Sequence, residues 1–245
     1  MTWTLCLALV AAFFGGALNA VAGGGSFLTL PALLAVGVPP VVANATGTLA
    51  LLPGYLASCL GYRRELRQLA GHYPLGRILL ISLIGGVAGA LLLLATSNTF
   101  FRALVPWLLL LATLLFVAAP AVLQRAERLS AGWLLPGLLL VAIYGGYFNG
   151  GLGIMLMALF ALVGMRSLQQ ANALKNLVST LLTLVAVLVY GAGDVIDWRY
   201  GAPMMVAATL GGYAGAWWGR YLPDQLLRRG IIGTGLVMAV LFMIY

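Results

Sequence analysis

Amide, hydroxyl and glycine residues interrupt otherwise apolar sequence, and they are the residues of this chain that could bind a ligand. Four asparagines form two pairs at similar spacing, Asn19 with Asn44 and Asn149 with Asn172. An amide is costly to bury in apolar surroundings unless it meets a partner or a cavity, and its NH2 group suits sulfonate or carboxylate oxygens. Hydrogen bonding between helices would explain the same residues. The candidate ligand-binding residues are Asn19, Gly24, Gly25, Ser26, Asn44, Thr48, Asn149, Gly151, Asn172, Lys175 and Asn176.

Two glycine clusters lie next to these asparagines. Gly23-Gly24-Gly25-Ser26 opens one short apolar segment, and Gly150-Gly151 with Gly153 opens another. Free backbone N–H groups at a helix N-terminus bind anions, helped by the positive end of the helix dipole. Ser26 is a suitable N-cap for such a helix. We therefore expect two opposed helix ends that hold an oxyanion, although glycine also serves close helix packing in membranes.

Lys175 is the only lysine of the chain, and it lies one turn into an apolar segment over 171–190. A cation inside a membrane segment is by default a candidate functional residue. The alternative is that the side chain extends to the cytoplasmic interface. Arg166, just before this segment, is expected to be a loop charge.

Catalytic and metal-binding groups are missing from the apolar runs. The five acids, Glu65, Glu127, Asp194, Asp197 and Asp224, all lie between those runs, and His72 is the only histidine. We therefore expect no enzyme activity, no metal and no cofactor. Without a buried proton carrier, export driven by the membrane potential is expected rather than proton exchange.

Composition identifies the elements that must position these residues. Hydrophobic residues make up 63% of the 245 residues and charged residues 7%, whereas soluble domains average about 25% charged residues. Residues 1–62 carry no charge, which is enough for two or three membrane helices at about 20 residues each. The chain is predicted to be an all-α polytopic membrane protein with 8–10 membrane helices, including short glycine-broken or re-entrant ones. The net charge of +8 falls in loops and does not indicate nucleic-acid binding.

Three short patterns recur in order, which predicts two repeats over 1–124 and 125–245. Asn19 returns as Asn149 and Asn44 as Asn172, each with its neighbours. The glycine-rich stretch over 85–90 returns over 211–216, and Gly85/Gly89 and Gly211/Gly215 are expected to serve helix packing. Arginine-rich loop 62–77 is expected in the cytoplasm and acidic loop 191–199 outside, so the repeats are predicted to be inverted. Glycine-broken helices in inverted repeats are typical of secondary transporters.

The first repeat resembles the TauE/SafE family of membrane transporters. The resemblance rests on Asn19, the cluster Gly23-Gly24-Gly25-Ser26, Pro31, Gly37-Val38-Pro39-Pro40 and Ala43-Asn44-Ala45-Thr46. The second repeat departs from it, with Ala161 in place of the expected proline. The resemblance implies a multi-pass protein of the bacterial inner membrane that exports sulfite or organosulfonates. The alternatives are a transporter of other small organic anions and a non-transporting membrane assembly factor. The expected partners are a small anionic substrate and the lipid bilayer, and a homo-oligomer is left open.

Overall fold

The described part of the chain is helical throughout and contains no β-strand, which confirms the predicted all-α class. A computed structural model describes residues 3–69, 71, 73–125, 130–165, 167–218, 232, 233, 236, 237 and 240. His72, Arg166, Glu127 and Asp224, discussed above, lie outside these residues, as do most of the residues after Trp218.

The helices are α1 (Trp3–Ala22), α2 (Ser26–Ala35), α3 (Pro40–Gly61), α4 (Arg63–Leu69), α5 (Leu75–Leu94), α6 (Asn98–Arg125), a 3-10 turn (Ala131–Trp133), α7 (Leu134–Tyr147), α8 (Leu152–Leu162), α9 (Leu168–Ala192) and α10 (Trp198–Trp218).

Helix length separates full spans from short helices. Among the described residues, three stretches are long and apolar enough to cross a membrane: Trp3–Ala20, Leu75–Leu94 and Gln169–Ala192. Helices α2 and α8 have 10 and 11 residues. At a rise of about 1.5 Å per residue they cover roughly half of a bilayer core. Both short helices were predicted from the glycine clusters that precede them.

Each short helix folds back along the helix before it. Gly25 of α2 lies against the carbonyl of Gly15 and the Cβ of Asn19 on α1. In the second half, an added Cβ at Gly145 would lie 2.7 Å from the side chain of Leu152, and one at Gly137 would lie 2.6 Å from Leu159. These contacts make α1–α2 and α7–α8 two antiparallel hairpins, each bent at its glycine cluster.

The main helix contacts come in corresponding pairs that join the two halves. Helix α1 packs against α10, and α7 packs against α5. In the same way α3 packs against α10 and α9 against α5, while α3 and α9 pack against each other. If α1 corresponds to α7, α3 to α9 and α5 to α10, every one of these contacts has its counterpart. The arrangement supports our proposal of two inverted repeats over 1–124 and 125–245.

Glycine contacts give the register of this correspondence. Gly89 of α5 leaves no room for a Cβ beside the carbonyl of Ile143, and Gly211 of α10 leaves none beside the carbonyl of Phe13. Phe13 and Ile143 are 130 positions apart, and Gly89 and Gly211 are 122 apart. The contacts therefore match Gly89 with Gly211, one helical turn away from the sequence match of Gly85 with Gly211. Both helices carry glycine at a four-residue interval, so sequence similarity alone does not separate the two registers.

Charges lie at the ends of the bundle. Arg63, Arg64 and Arg67 of α4 and Arg77 at the start of α5 are all exposed. Near the start of α10, Asp197 forms an ion pair with Arg199 at 2.7 Å. Hydrogen bonds from Arg199 hold the pKa of Asp197 below its usual value despite partial desolvation. The backbone N–H of Asp197 also donates to Thr46 Oγ1 at 3.0 Å, which fixes this loop to α3.

Loop accessibility tests the inverted topology. In a chain whose free cysteines Cys6 and Cys59 are replaced by alanine, Arg64→Cys should resist an impermeant maleimide added to intact cells. Asp194→Cys should react, because the positive-inside rule places loop 62–77 in the cytoplasm and loop 191–199 outside. Arg77→Cys and Arg199→Cys serve as second reporters for the two loops. Labelling of both loops from the same side would contradict the inversion.

The α1–α10 contact makes a stability prediction. Gly211→Ala should lower the free energy of unfolding by about 1–3 kcal/mol, because its methyl group has to push two helix backbones apart. Gly212→Ala is the matched control, since a Cβ at Gly212 would lie 3.6 Å from the carbonyl oxygen of Gly16, an ordinary contact. Thermal unfolding in detergent measures both. Equal loss of stability in the two variants would contradict the packing described here.

Candidate functional site

The two glycine breaks touch each other. An ideal Cβ added to Gly23 would lie 3.1 Å from the Cα of Gly153, and one added to Gly153 would lie 3.2 Å from the Cα of Gly23. Gly23 has φ +77°, a left-handed conformation that suits glycine. Gly23 and Gly153 are 130 positions apart, the same interval that separates Asn19 from Asn149, so they are equivalent positions of the proposed repeats. Where two equivalent positions meet, they lie on the axis that relates the repeats, so the breaks meet at the centre of the proposed arrangement.

The start of α2 differs from the prediction in its capping residue. Gly25, not Ser26, is the N-cap, and Ser26 is the first residue of the helix without a capping hydrogen bond. Gly25 already has helical angles, φ −57° and ψ −34°, and its carbonyl accepts hydrogen bonds from Leu28 and Thr29. The N–H groups of Gly24, Gly25 and Ser26 have no acceptor among the described residues. They are free donors at the N-terminus of α2.

The α7–α8 turn has a different backbone. Asn149 has φ 59° and Gly151, the N-cap of α8, has φ 73°. The carbonyl of Asn149 accepts a hydrogen bond from Leu152 at 3.3 Å. The Tyr144 hydroxyl donates to the carbonyl of Gly150. These bonds fix a tight turn that directs the N-terminus of α8 towards Gly23.

Most polar candidates of the first half are satisfied within the protein. The Tyr55 hydroxyl donates to Asn19 Oδ1 at 3.1 Å. Asn44 Nδ2 donates to the carbonyl of Tyr147, at the end of α7, at 3.0 Å. Thr48 donates to the carbonyl of Asn44 at 2.8 Å. Thr29 is the exception, because its fully buried hydroxyl has no partner among the described residues. Asn44 thus joins α3 to α7, whereas the Thr48 bond stays within α3.

The second half has a row of polar side chains on α9, which we call the α9 polar face. Its residues follow a spacing of three or four and so share one side of the helix: Asn172, Lys175, Asn176, Ser179 and Thr183. Lys175 is 8% exposed and Asn176 7%, and Asn172 is half-buried. No side-chain hydrogen bond or ion pair of these three residues is found among the described residues. Their polar groups are therefore available to a ligand.

Lys175 lies at the contact of the two breaks. Its Cδ is 3.5 Å from the position of a Cβ on Gly153, and Gly153 touches Gly23. The aliphatic part of the side chain therefore lies against the glycine contact. An ammonium at this place, next to the N-terminus of α8, is suited to hold an anion.

Three polar residues of the site were not predicted. Thr180 links α9 to α3, because its hydroxyl lies 3.0 Å from the carbonyl of Tyr55 and 2.7 Å from that of Asn176. Tyr55 and Thr183 contact Asn19 and Asn149, respectively. The repeat spacing is the sequence signal that could have identified Tyr55 and Thr183. These two residues are 128 positions apart, close to the 130 positions that separate their partners Asn19 and Asn149.

The contacts bring some predicted residues together and leave others apart. Asn19 lies at the first break, Asn149 is part of the second, and Asn44 reaches the end of α7 beside it. Convergence of Asn19, Ser26, Asn44, Asn149 and Asn172 on one shared cavity stays a prediction. Among the described residues there is no group of three or more His, Cys, Asp or Glu side chains that could hold a metal ion.

The fold defines a polytopic α-helical membrane protein with two broken-helix hairpins. The sequence model of the family described as "Sulfite exporter TauE/SafE" matches residues 8–242, and the chain belongs to this family. It is 31% identical over 215 residues to a "Probable membrane transporter protein" of Haemophilus influenzae, covering 86% of this chain and 82% of the relative. A "Probable membrane transporter protein ORF9" of Sinorhizobium sp is 28% identical, with 96% and 91% covered. "Probable membrane transporter protein YfcA" of Escherichia coli K12 is 26% identical, with 93% and 85% covered.

These matches and the apolar helices make the chain a multi-pass membrane transporter, as the resemblance of its first repeat implied. The relatives match across both halves of the chain. The comparisons give the class of protein, and the substrate has to be argued from the site.

The unequal roles of the two equivalent asparagines make a stability prediction. Asn44→Ala should lower the free energy of unfolding by about 1–3 kcal/mol, because it leaves the carbonyl of Tyr147 buried without its donor. Asn172→Ala should change it by less than about 0.5 kcal/mol, as is usual where no interaction is lost. Chemical or thermal unfolding of the purified protein measures both. A similar loss in the two variants would make Asn172 a structural residue as well.

Proposed function

We propose that this transporter exports small sulfur-containing oxyanions, such as sulfite or organosulfonates, and that the anion binds beside Lys175 at the contact of the two glycine breaks. The observation that carries the proposal is the buried ammonium of Lys175, which has no counter-ion among the described residues. The Cδ atom of this side chain lies 3.5 Å from the place that a Cβ on Gly153 would take. An isolated buried charge is strongly disfavoured unless an opposite charge compensates it. A bound anion supplies that charge.

The surrounding groups suit a tetrahedral oxyanion. Free N–H groups at the start of α2 lie on one side of the glycine contact, and the N-terminus of α8 lies on the other. The amides of Asn172 and Asn176 are additional donors on the same side of α9 as Lys175. Several neutral donors around one ammonium hold an anion without a second fixed charge, which favours release as well as binding.

Two other functions were considered. Another small organic anion, such as a carboxylate, meets the same ammonium and donors, and only a comparison of substrates separates it from a sulfonate. A non-transporting assembly factor would not need a buried row of unpaired polar groups, so the α9 polar face argues against it. We also propose that the protein has no enzymatic activity, because its acids lie between the apolar runs and those runs contain no histidine that could activate a nucleophile.

The membrane potential is proposed as the driving force. The membrane potential of a cell that is negative inside favours the exit of an anion by about 2.3 kcal/mol of free energy per charge at 100 mV. This sustains a gradient of roughly fiftyfold, since about 1.4 kcal/mol corresponds to a factor of ten. Buried acids and histidines are the usual carriers of obligatory proton exchange, and the sequence has neither in its apolar runs.

Flux in proteoliposomes tests the function. The wild-type protein should move sulfite, sulfoacetate and isethionate under a valinomycin-clamped potential, and should move taurine and acetate more slowly, because taurine carries an ammonium that Lys175 repels. Lys175→Met should lower the sulfite flux by at least about tenfold, the effect of losing roughly 1.4 kcal/mol of charge-assisted binding.

Arg77→Met is the matched control, because it removes one exposed cation and leaves the site intact. Its flux should stay close to that of the wild type. Wild-type flux in a stable Lys175→Met variant would contradict the site. Flux that follows a pH gradient and ignores the potential would contradict the driving force, and preference for acetate over the sulfonates would favour the carboxylate alternative.

A further inference from the structure

We propose a second anion-binding position on α9, formed by Ser179 and Asn149 and held in place by Thr183, one step outward from Lys175. The proposal rests on the function proposed above. It concerns three polar residues that neither the family resemblance nor the sequence analysis places in a common site.

The hydroxyl groups of α9 supply the first observation. Six hydroxyls inside the described helices donate to the carbonyl four residues earlier in their own helix, among them Ser82 to Ile78 and Thr113 to Leu109. Ser179 does not, and its fully buried Oγ has no partner among the described residues. Thr183 does not either, and its recorded contact is with Asn149. Neighbouring Thr180 does make such a bond, so within α9 the two hydroxyls without one lie on the polar face.

Asn149 supplies the second observation. It is 2% exposed, and its Oδ1 has no partner among the described residues. Its Nδ2 lies 3.5 Å from Thr183 Oγ1, a long hydrogen bond. The two groups of a carboxamide are similar in size, so the amide can turn over. Thr183 then donates to Oδ1, and the NH2 group occupies the side that lacks a partner.

The first half already has this second arrangement. There the Tyr55 hydroxyl donates to Asn19 Oδ1 at 3.1 Å, and Tyr55 and Thr183 are equivalent positions in the repeats, as are Asn19 and Asn149. Each hydroxyl thus anchors the oxygen of an amide at a glycine break and leaves the NH2 group free. In either orientation of the Asn149 amide, one of its two polar groups lacks a partner until a ligand binds. An anion is the ligand that can accept hydrogen bonds from the NH2 group of Asn149 and from the hydroxyl of Ser179 together.

The location of this pair gives it a role in transport. Ser179 lies one turn after Lys175 on the same face of α9, which corresponds to a rise of about 6 Å. Helix α9 continues from there to loop 191–199, which is expected outside. An anion that leaves Lys175 outward meets neutral donors next, which bind it more weakly than the ammonium does. The second position therefore serves the release step, with Ser179 and Asn149 as ligand contacts and Thr183 as a positioning residue.

The test separates binding from release, using radiolabelled sulfite as the probe on the full-length protein. Ser179→Ala and Thr183→Val should keep the equilibrium dissociation constant for sulfite within about twofold, because Lys175 still holds the anion. Each should lower the maximal efflux from proteoliposomes about tenfold. Ser179→Ala removes one hydrogen bond to a charged ligand, and Thr183→Val removes the group that orients the Asn149 amide towards that ligand. Thr183→Ser, which restores the hydroxyl, should recover the efflux.

The matched controls are Ser82→Ala and Thr113→Val, which remove equally buried hydroxyls that serve only their own helix. Efflux from Ser179→Ala equal to that from Ser82→Ala would overturn the proposal, and so would failure of Thr183→Ser to recover efflux in a folded protein. If Ser179→Ala and Lys175→Met weaken sulfite binding equally, there is one site and not two. Absence of sulfite efflux from the wild type would instead contradict the proposed function, and the second position with it.

Discussion

Lipid offers no hydrogen bonds to a polypeptide, so a break in a membrane helix must be enclosed by protein or line a polar space. This chain has two such breaks, between α1 and α2 and between α7 and α8, and the backbone contact of Gly23 with Gly153 brings them together. Other helices are arranged around this contact. Helices α3 and α9 pack against each other beside it. Helix α5 packs against α7 of the second hairpin, and α10 packs against α1 of the first. A side chain on either glycine would have to push the two hairpins apart, because an added Cβ already approaches the opposite Cα to 3.1–3.2 Å.

Sequence patterns that depend on composition and backbone freedom predicted much of this arrangement. The apolar runs gave the helices, and the glycine clusters gave the short α2 and α8, because few other residues tolerate the turns that precede them. The register of α5 and α10 was not accessible in the same way. Both helices repeat glycine every four residues, and a shift of one turn keeps small residues at the contact. Which glycine meets which carbonyl is decided by packing over the whole helix pair.

The state of each asparagine was likewise beyond the sequence. Asn44 and Asn172 occur in nearly the same local pattern, yet Asn44 donates to the end of α7 and Asn172 has no such bond among the described residues. A buried amide satisfies itself with whatever the neighbouring helix presents, and that neighbour is known only from tertiary structure. Ser26 was assigned as an N-cap for its chemistry, but Gly25 adopts helical angles and takes that place.

Comparison of equivalent positions shows where the two halves diverge. Along α3 the positions that match Lys175, Asn176 and Ser179 are Gly47, Thr48 and Leu51. Gly47 and Leu51 pack against α2, where they contact Thr29 and Gly25, so this face of α3 fixes the first hairpin. On α9 the same positions carry a cation, an amide and a hydroxyl. In the proposed repeats, the face of α3 is thus packed against α2, and the equivalent face of α9 carries unpaired polar groups.

This division has a physical rationale in a transporter. Inverted repeats allow inward-facing and outward-facing states of similar energy, because each half adopts the conformation of the other in turn. A symmetric pair of charged sites would hold two anions close together, where they repel each other. Placing the single ammonium on one half avoids this repulsion. In the proposed transport cycle, the anion favours one state only through its differential contacts with α9 in the two states. The chemistry of this helix face then sets the affinity of each state, and the membrane potential sets the direction of net export.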